Sequence, residues 1–293
     1  MVPRLIIHGG AGLIESPDFT ERQYEKALRK AIKETYSVLL QKGSRQAVLY
    51  GIRLLEDDPL FNAGYGSRLQ KDGRVRMSAA IMDSVSQKFS GVINICNVRH
   101  PIDVADTLSK RRHAVLAGRG ATEYARRRKM EYCSPLAPHR LKEHAEKVKG
   151  ESGTVGIVAV DHKGCICAGT STGGVGYETP GRVSDSATVA GTYASRVCGV
   201  SCTGQGESIV NQAVAAKIVA RVEDGVSLAS AVQRLVGIAR QKKLRIGLIS
   251  LDCYGNILVG NGYNTKVLYA KHEGTKIDTF LTQPHDHEHV PRH

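Results

Sequence analysis

One threonine stands where its hydroxyl could be turned into a nucleophile. Thr154 belongs to the stretch Gly153-Thr154-Val155-Gly156, ahead of the apolar run Ile157-Val158-Ala159-Val160 and the turn Asp161-His162-Lys163-Gly164. A threonine hydroxyl attacks poorly until something removes its proton. One solution makes the threonine a chain N-terminus, so that its own α-amine acts as the base. That amine has an unperturbed pKa of about 7.7–8.0, so much of it is neutral near physiological pH. The requirement is a backbone cut between Gly153 and Thr154, giving subunits 1–153 and 154–293. Gly153 has no side chain to hinder approach to its carbonyl and tolerates a strained backbone. Taken alone, the tetrapeptide reads as an ordinary strand start.

The surrounding motifs change that reading. Downstream come Thr170-Ser171-Thr172-Gly173-Gly174, Gly181-Arg182-Val183-Ser184-Asp185-Ser186 and Ser201-Cys202-Thr203-Gly204-Gln205-Gly206-Glu207. Upstream stand His8-Gly9-Gly10-Ala11-Gly12, the run from Leu55 to Gly66 and Ala80-Ile81-Met82-Asp83. In order and spacing these resemble the plant-type L-asparaginase/isoaspartyl aminopeptidase family of N-terminal-nucleophile hydrolases, from about residue 5 to about residue 270.

The resemblance implies an α+β fold, the four-layer αββα sandwich, and hydrolysis of L-asparagine and of β-aspartyl (isoaspartyl) dipeptides. Thr154 would first attack the Gly153 carbonyl, an N-to-O acyl shift, and then serve as the catalytic nucleophile. Thr172 would hydrogen-bond to it, and Thr203 with the Gly204 N–H would form the oxyanion hole. Arg182 would grip the substrate α-carboxylate with two parallel bonds, and Asp185 and the Gly206 carbonyl would accept from its α-ammonium. Asn62 would orient the Thr154 amine or hydroxyl, or serve structurally. The main-chain carbonyls of Leu55, Glu56, Asp58, Phe61, Ala63 and Tyr65 would wrap a structural sodium ion. No cofactor is implied for catalysis, and the cleaved protomers would pair as a homodimer. A glycosylasparaginase-like amidohydrolase is the neighbouring alternative, disfavoured by Gly153 and the Thr170–Gly174 motif. A threonine endopeptidase of the same fold stands further off.

Four positions depart from the family pattern. Ser184 replaces a glycine, and a positive φ there would make serine costly. Ser78 replaces an aspartate, Gln205 a frequent histidine, and Leu244-Arg245-Ile246-Gly247 a glycine-rich run near the substrate pocket.

The elements that must position these residues are readable in outline. Residues 4–8 predict a buried strand, followed by a glycine turn at 9–12. Thr20 with Gln23 makes a capping box for a helix over 21–42, with Tyr24, Ala27, Leu28, Ala31, Ile32, Tyr36 and Leu39 as its apolar stripe and Gly43 at its end. Ser44 caps a second helix to about Leu55, and 56–66 is a loop punctuated by Pro59, Gly64 and Gly66. Strands are expected at 75–83 and 89–96, and an interrupted helix from 101 to about 130. Residues 134–153, charged and proline-broken, predict an internal linker just before the cut.

In the second half, Gly156–Asp161 with Gly164 is echoed by Gly247–Asp252 with Gly255, predicting two hairpins. Between them a helix begins near Glu207 with Ile209, Val210, Ala213, Val214 and Ile218 inward. Another is capped by Ser227, with Leu228, Ala231, Val232 and Leu235 inward. The tail His285-Asp286-His287-Glu288-His289 reads as a solvated end rather than a metal site.

Composition bounds the rest. The chain has 293 residues, 41% hydrophobic and 24% charged, the balance of a soluble globular protein. No apolar run reaches membrane-spanning length, and the N-terminus lacks a signal-peptide pattern. Seven cysteines without framework spacing, with Cys165 and Cys167 alternating along one strand, predict reduced thiols and a cytoplasmic location. A net charge of +13 raises the alternative of a basic polyanion-binding protein of the same fold. With 5% aromatics, no tryptophan and no recognised motif, specific nucleic-acid binding is not expected, and the charge is read as solvated helix faces.

Overall fold

The computed structural model of the protein describes residues 1–12, 19–147 and 153–281. The strands are β1 Arg4–Ala11, β2 Met77–Asp83, β3 Ser90–Ile95, β4 Val115–Ala117, β5 Val155–Val160, β6 Ile166–Thr172, β7 Thr192–Ala194, β8 Cys198–Gly204, β9 Ile246–Asp252, β10 Ile257–Asn261, β11 Val267–His272 and β12 Ile277–Leu281. The helices are α1 Glu21–Lys42, α2 Ser44–Asp57, α3 Pro101–Leu108, α4 Gly118–Arg127, α5 Pro138–Ala145, α6 Gly206–Gln212, α7 Val214–Glu223 and α8 Leu228–Gln241. The fold is α+β, with two sheets ordered β12-β11-β1-β5-β6-β2-β3-β4 and β10-β9-β8-β7. Every pairing is antiparallel except β3 with β4.

The strand headed by Thr154 lies inside the larger sheet, with Ile157 opposite both Ile7 of β1 and Gly169 of β6. Its side chains alternate between two cores, as the period of two requires. Val155, Ile157 and Ala159 pack with Leu28, Ile32 and Leu39 of α1 and Val48 and Ile52 of α2. Val158 and Val160 meet Ile249 and Leu251 of β9. On its other face the small sheet packs Val200, Cys202 and Leu248 against Ile218 and Val219 of α7 and Ala231, Val232 and Leu235 of α8. Being covered on both faces is what makes β5 a continuous apolar run.

Helix α1 has the predicted bounds, and Gln23 Oε1 accepts from the Thr20 N–H at 2.8 Å. Gly43 follows it with φ +81, and α2 begins at once. Ser44 is not the cap of α2 but its first residue. Its orphan N–H donates to the Asp161 carboxylate at 3.1 Å, so the turn after β5 supplies the anion for this helix start. The predicted hairpins are both present and turn alike. Asp161 Oδ1 accepts from the N–H groups of Lys163 and Cys165, as Asp252 Oδ1 does from Tyr254 and Asn256.

Several expectations need correction. The glycines after His8 do not form a turn: β1 continues to Ala11 through a bulge that Gly10 makes possible at φ +116. The expected helix 101–130 is α3 and α4 separated by β4. The helix near Glu207 breaks at Ala213, left-handed at φ +48, and Val210 faces outward. The segment read as a featureless linker contains α5, because Arg140 finds buried partners that sequence distance hides. Residues 148–152 of that segment and the histidine-rich tail lie outside the described residues.

Candidate active site

Thr154 is buried at the head of β5, and its hydroxyl donates to Thr172 Oγ1 at 3.0 Å. Thr172, last residue of β6, also accepts from the Gly174 N–H at 3.1 Å, so the acceptor is held from the loop side. The preceding carbonyl, that of Gly153, accepts from the backbone N–H of Asn62 at 3.1 Å. The peptide bond between them is therefore polarised at its oxygen while a hydroxyl sits beside it. The Asn62 side chain is engaged with other groups: Nδ2 donates to the Gly174 carbonyl, and Oδ1 accepts from the Arg68 N–H at 2.9 Å. A Cβ at Gly153 would stand 2.5 Å from Asn62 Cβ, so only glycine permits this approach.

A neighbouring imidazole is unsuited to activate Thr154 in neutral solution. His8 lies opposite Gly156, fully buried, with Nε2 3.0 Å from Ser201 Oγ. Burial pushes its pKa down to about 3, against a raising interaction with the Thr154 backbone. Ser201 continues to Thr170 at 2.7 Å, a buried hydroxyl chain joining the two sheets. The sheets approach closely at two glycines: a Cβ on Gly156 would be 2.0 Å from Ser201 Oγ, and one on Gly247 would be 2.7 Å from Val267 Cγ2 and 3.1 Å from Ala11 Cβ. Gly247 pairs with Thr203, so its contact sets the end of β8 near Ala11 of β1 and Val267 of β11. Gly204 has φ +119, and a Cβ on it would come within 2.5 Å of the Arg245 carbonyl oxygen.

Arg182, Ser184 and Asp185 converge on Gly206. A Cβ there would lie 2.6 Å from Ser184 Oγ and 3.0 Å from both Arg182 Nη2 and Asp185 Oδ1. Arg182 and Asp185 are not each other's ion partner. Glu207 takes Arg182 Nε and Nη2 at 2.7 and 2.9 Å, and Glu178 takes Nη1 at 2.9 Å. Of the five guanidinium N–H groups, two remain for a ligand. Asp185 is buried with Oδ2 unpaired, and burial lifts its carboxyl to about 7, partly opposed by the Ser184 hydroxyl at 2.8 Å and by Arg182. The unpaired Oδ2 lies toward Gly191, where a Cβ would come within 2.5 Å of it, whereas the oxygen facing Gly206 and Arg182 is Oδ1, which accepts from Ser184.

Two departures resolve simply. Ser184 lies outside the left-handed region, so the feared backbone cost is absent. Ser78, opposite Thr172 in the β2–β6 pairing, accepts from the Asn94 N–H at 3.1 Å, a role within a hydroxyl's reach. Sequence reasoning missed Glu178 as a partner of Arg182, although its place four residues earlier was a usable signal. It also missed Asn94, left-handed in β3, whose Nδ2 donates to the Arg182 carbonyl at 3.0 Å. That contact spans 88 residues and leaves no local mark.

The loop of six carbonyls begins inside a helix. Leu55 and Glu56 belong to the last turn of α2, where orphan carbonyls and the negative dipole end favour a cation. Gly64 and Gly66 lie against the Glu56 and Phe61 carbonyls, where a Cβ would come within 2.2 and 2.1 Å. The Asp58 and Ala63 carbonyls each accept one backbone N–H, keeping a second lone pair. An all-oxygen donor set of this kind suits a hard ion such as sodium.

The cavity at this site has a volume of about 360 Å³ and is lined by Arg182, Gly204 and Glu207 among others. A threonine hydroxyl at the head of a strand and an Arg182–Asp185 cluster at Gly206 are thus set on an α+β fold of two sheets. Residues 1–282 match the family model described as Asparaginase, and the chain belongs to that family of hydrolases. It is 42% identical to the isoaspartyl peptidase/L-asparaginase of Synechocystis sp., covering 98% of this chain and 93% of that protein. Identity to the plant-type L-asparaginase of Pyrococcus horikoshii is 36%, covering 89% and 93%. Identity to the isoaspartyl peptidase of Escherichia coli is also 36%, covering 90% and 91%.

Proposed function

We propose that the chain is an autoprocessing threonine hydrolase that releases ammonia from L-asparagine and cleaves β-aspartyl dipeptides. The observation that carries this reading is the scissile geometry: the Thr154 hydroxyl on Thr172 at 3.0 Å, with the Gly153 carbonyl held by the Asn62 N–H at 3.1 Å. In the uncut chain Thr154 Oγ adds to the Gly153 carbonyl carbon, and the Asn62 N–H stabilises the developing oxyanion. Collapse breaks the C–N bond, the nitrogen taking the hydroxyl proton to become the free Thr154 amine, and leaves an ester that water hydrolyses to the Gly153 carboxylate and the free Thr154 hydroxyl. That amine then takes the hydroxyl proton, since His8 is too weak a base.

In the cleaved enzyme the two remaining Arg182 N–H groups hold the substrate α-carboxylate, and Asp185 and the Gly206 carbonyl accept its ammonium. The Thr203 hydroxyl and the Gly204 N–H face the tetrahedral oxygen. Ammonia or an amino acid departs with the proton from Thr154, and water resolves the acyl-enzyme. The chemistry uses no cofactor. The carbonyls of Leu55, Glu56, Asp58, Phe61, Ala63 and Tyr65 would hold sodium as a brace for the Asn62 loop.

Three packed cores, two outside and one between the sheets, support the four-layer αββα arrangement. Seven unpaired thiols suit a reducing cytoplasm, and among the described residues no helix is long and apolar enough to cross a membrane. A homodimer of cleaved protomers is part of the same reading.

The test is intact mass under denaturing conditions, followed with ammonia release from asparagine. Wild type should give two fragments, the second beginning at Thr154, together with activity, while Thr154→Ala gives neither. A wild-type chain that stays whole and inactive for days would refute the reading in favour of a basic binding protein.

A further inference from the structure

Resting on that reading, we propose that Thr170 and Thr192 are positioning residues, links in a buried hydroxyl chain that sets the amino-acid clamp at a fixed depth from Thr154. His8 of β1, Gly156 of β5 and Thr170 of β6 stand in one row across the large sheet. That row lies two residues from Thr154 along one strand and two from Thr172 along the next, on the face those threonines share. Gly156 has no side chain, and Ser201 Oγ of β8 takes the space, 2.0 Å from where a Cβ would stand. It meets His8 Nε2 at 3.0 Å on one side and Thr170 Oγ1 at 2.7 Å on the other. Thr170 Oγ1 lies 2.5 Å from Thr192 Oγ1 of β7, and Thr192 donates to the Ser186 carbonyl at 2.8 Å. Ser186 directly follows Asp185 of the clamp. His8, Ser201, Thr170, Thr192 and Ser186 are all fully buried.

Proton count gives the chain a direction. A hydroxyl carries one proton, and a carbonyl only accepts. Thr192 gives its proton to Ser186, so Thr170 donates to Thr192, Ser201 to Thr170 and His8, from Nε2, to Ser201. His8 is then the Nε2–H imidazole, the neutral form that burial enforces. At the far end the loop is wound on Asp185. Its carbonyl accepts from the Thr188 N–H at 2.8 Å and from Thr188 Oγ1 at 2.7 Å. A Cβ on Gly191 would stand 2.5 Å from both that carbonyl oxygen and Oδ2. Thr192 therefore holds a loop in which Asp185 has little freedom to move alone.

Elsewhere the two sheets pack through Ile6, Val158, Ile166 and Ile249. Apolar packing is non-directional and tolerates sliding, whereas a chain of hydrogen bonds accepts one register. A polar chain is costly to bury unless every link is made, and this one runs directly behind the nucleophile. Self-cleavage uses Thr154, Thr172, the Gly153 carbonyl and the Asn62 N–H, none of them on the clamp. Hydrolysis needs the clamp as well, because the clamp brings the substrate amide to Thr154. Two reactions of one nucleophile thus separate positioning of the clamp from general packing.

The experiment follows self-cleavage by intact mass, then measures kcat and KM of the fully cleaved protein for asparagine and for β-aspartyl-alanine. Thr192→Val keeps the shape of the side chain and removes its hydroxyl. It should self-cleave at close to the wild-type rate, while kcat falls by about tenfold, the scale of one lost hydrogen bond, and KM changes little. Both substrates should lose alike, because both present the same aspartyl end to the clamp. Thr192→Ser should restore most of kcat. The double variant Thr170→Val/Thr192→Val should cost no more than Thr192→Val alone, since the two hydroxyls form one link. An unchanged kcat overturns the proposal, as does a loss confined to KM, equal slowing of self-cleavage and turnover, or a Thr192→Ser variant as slow as Thr192→Val. If Thr192→Val does not fold, Ser201→Ala breaks the chain at its middle and decides by the same split. Cleaved wild-type protein that turns over neither substrate instead overturns the underlying reading, and this inference with it.

Discussion

Gly153→Ala tests the self-cleavage geometry most directly. The added Cβ would stand 2.5 Å from Asn62 Cβ and 3.4 Å from Asn62 N, while the same residue's N–H donates to the Gly153 carbonyl at 3.1 Å. The clash is not relieved as the carbonyl carbon becomes tetrahedral. The N–H must then draw closer to the oxyanion, which tightens the carbon–carbon contact. Accepting the overlap costs about 1–3 kcal/mol. Moving Asn62 away sacrifices an oxyanion donor, a loss of about 2.7–4 kcal/mol. The chain takes the cheaper route, so cleavage should slow by about 10- to 100-fold, at about 1.4 kcal/mol per tenfold. The assay is a time course of intact mass from the moment of purification or refolding. Cleavage of Gly153→Ala at the wild-type rate would refute the role given to Asn62.

Four further outcomes are expected. Burial lifts Asp185 to about 7, so the anion that accepts an ammonium grows as pH rises through that value, and kcat/KM for asparagine should rise with it. Ser184→Ala removes a hydrogen bond that lowers this carboxyl, so the acid limb of kcat/KM should move upward by about one pH unit with the limb of kcat in place. An unmoved acid limb would separate Asp185 from substrate binding. Gly206→Ala sets a Cβ among Ser184, Arg182 and Asp185, and steady-state kinetics should show KM for asparagine raised by about tenfold or more. Arg140→Ala takes from α5 its bond to the Gly66 carbonyl at 2.7 Å and its pair with Glu143 at 2.8 Å. Glu143 keeps Arg68 at 3.2 Å, so the expected loss is about 1–3 kcal/mol in denaturant unfolding, and an unchanged midpoint would show α5 to be dispensable.

What the sequence disclosed is what local chemistry encodes. The apolar period of α1, the glycine after it, the aspartates of both hairpins and the buried run of β5 each follow from neighbours within a few residues, and each is found as expected. Thr154, Thr172, Arg182, Asp185 and Gly206 were nameable because their motifs are short. Their partners were not. Asn62 N to Gly153 O, Asn94 Nδ2 to Arg182 O and Ser44 N to Asp161 each join segments that only the sheets bring together. Helix α5 was misread for the same reason: an arginine in a charged stretch looks solvated unless one knows that Gly66 waits for it.

The buried Arg140 gives the proposed precursor a mechanical logic. One loop, from Asp58 to Arg68, touches the chain on both sides of the proposed cut. Upstream, its Gly66 carbonyl takes Arg140 and its Arg68 pairs with Glu143, which anchors α5 eight residues short of Gly153. At the cut, Asn62 of the same loop holds the Gly153 carbonyl and, through Gly173 and Gly174, the turn that fixes Thr172. Helix α5, upstream of the proposed cut, and the acceptor Thr172 beside it thus share one support. A cation on the loop's carbonyls would stiffen that support without touching the chemistry. Arg140→Ala should therefore lengthen the self-cleavage half-time while leaving kcat of the cleaved fraction much less affected, since the free Thr154 amine no longer depends on where α5 is anchored. Equal losses in both would mean that α5 acts through general stability, and the anchoring argument would fail.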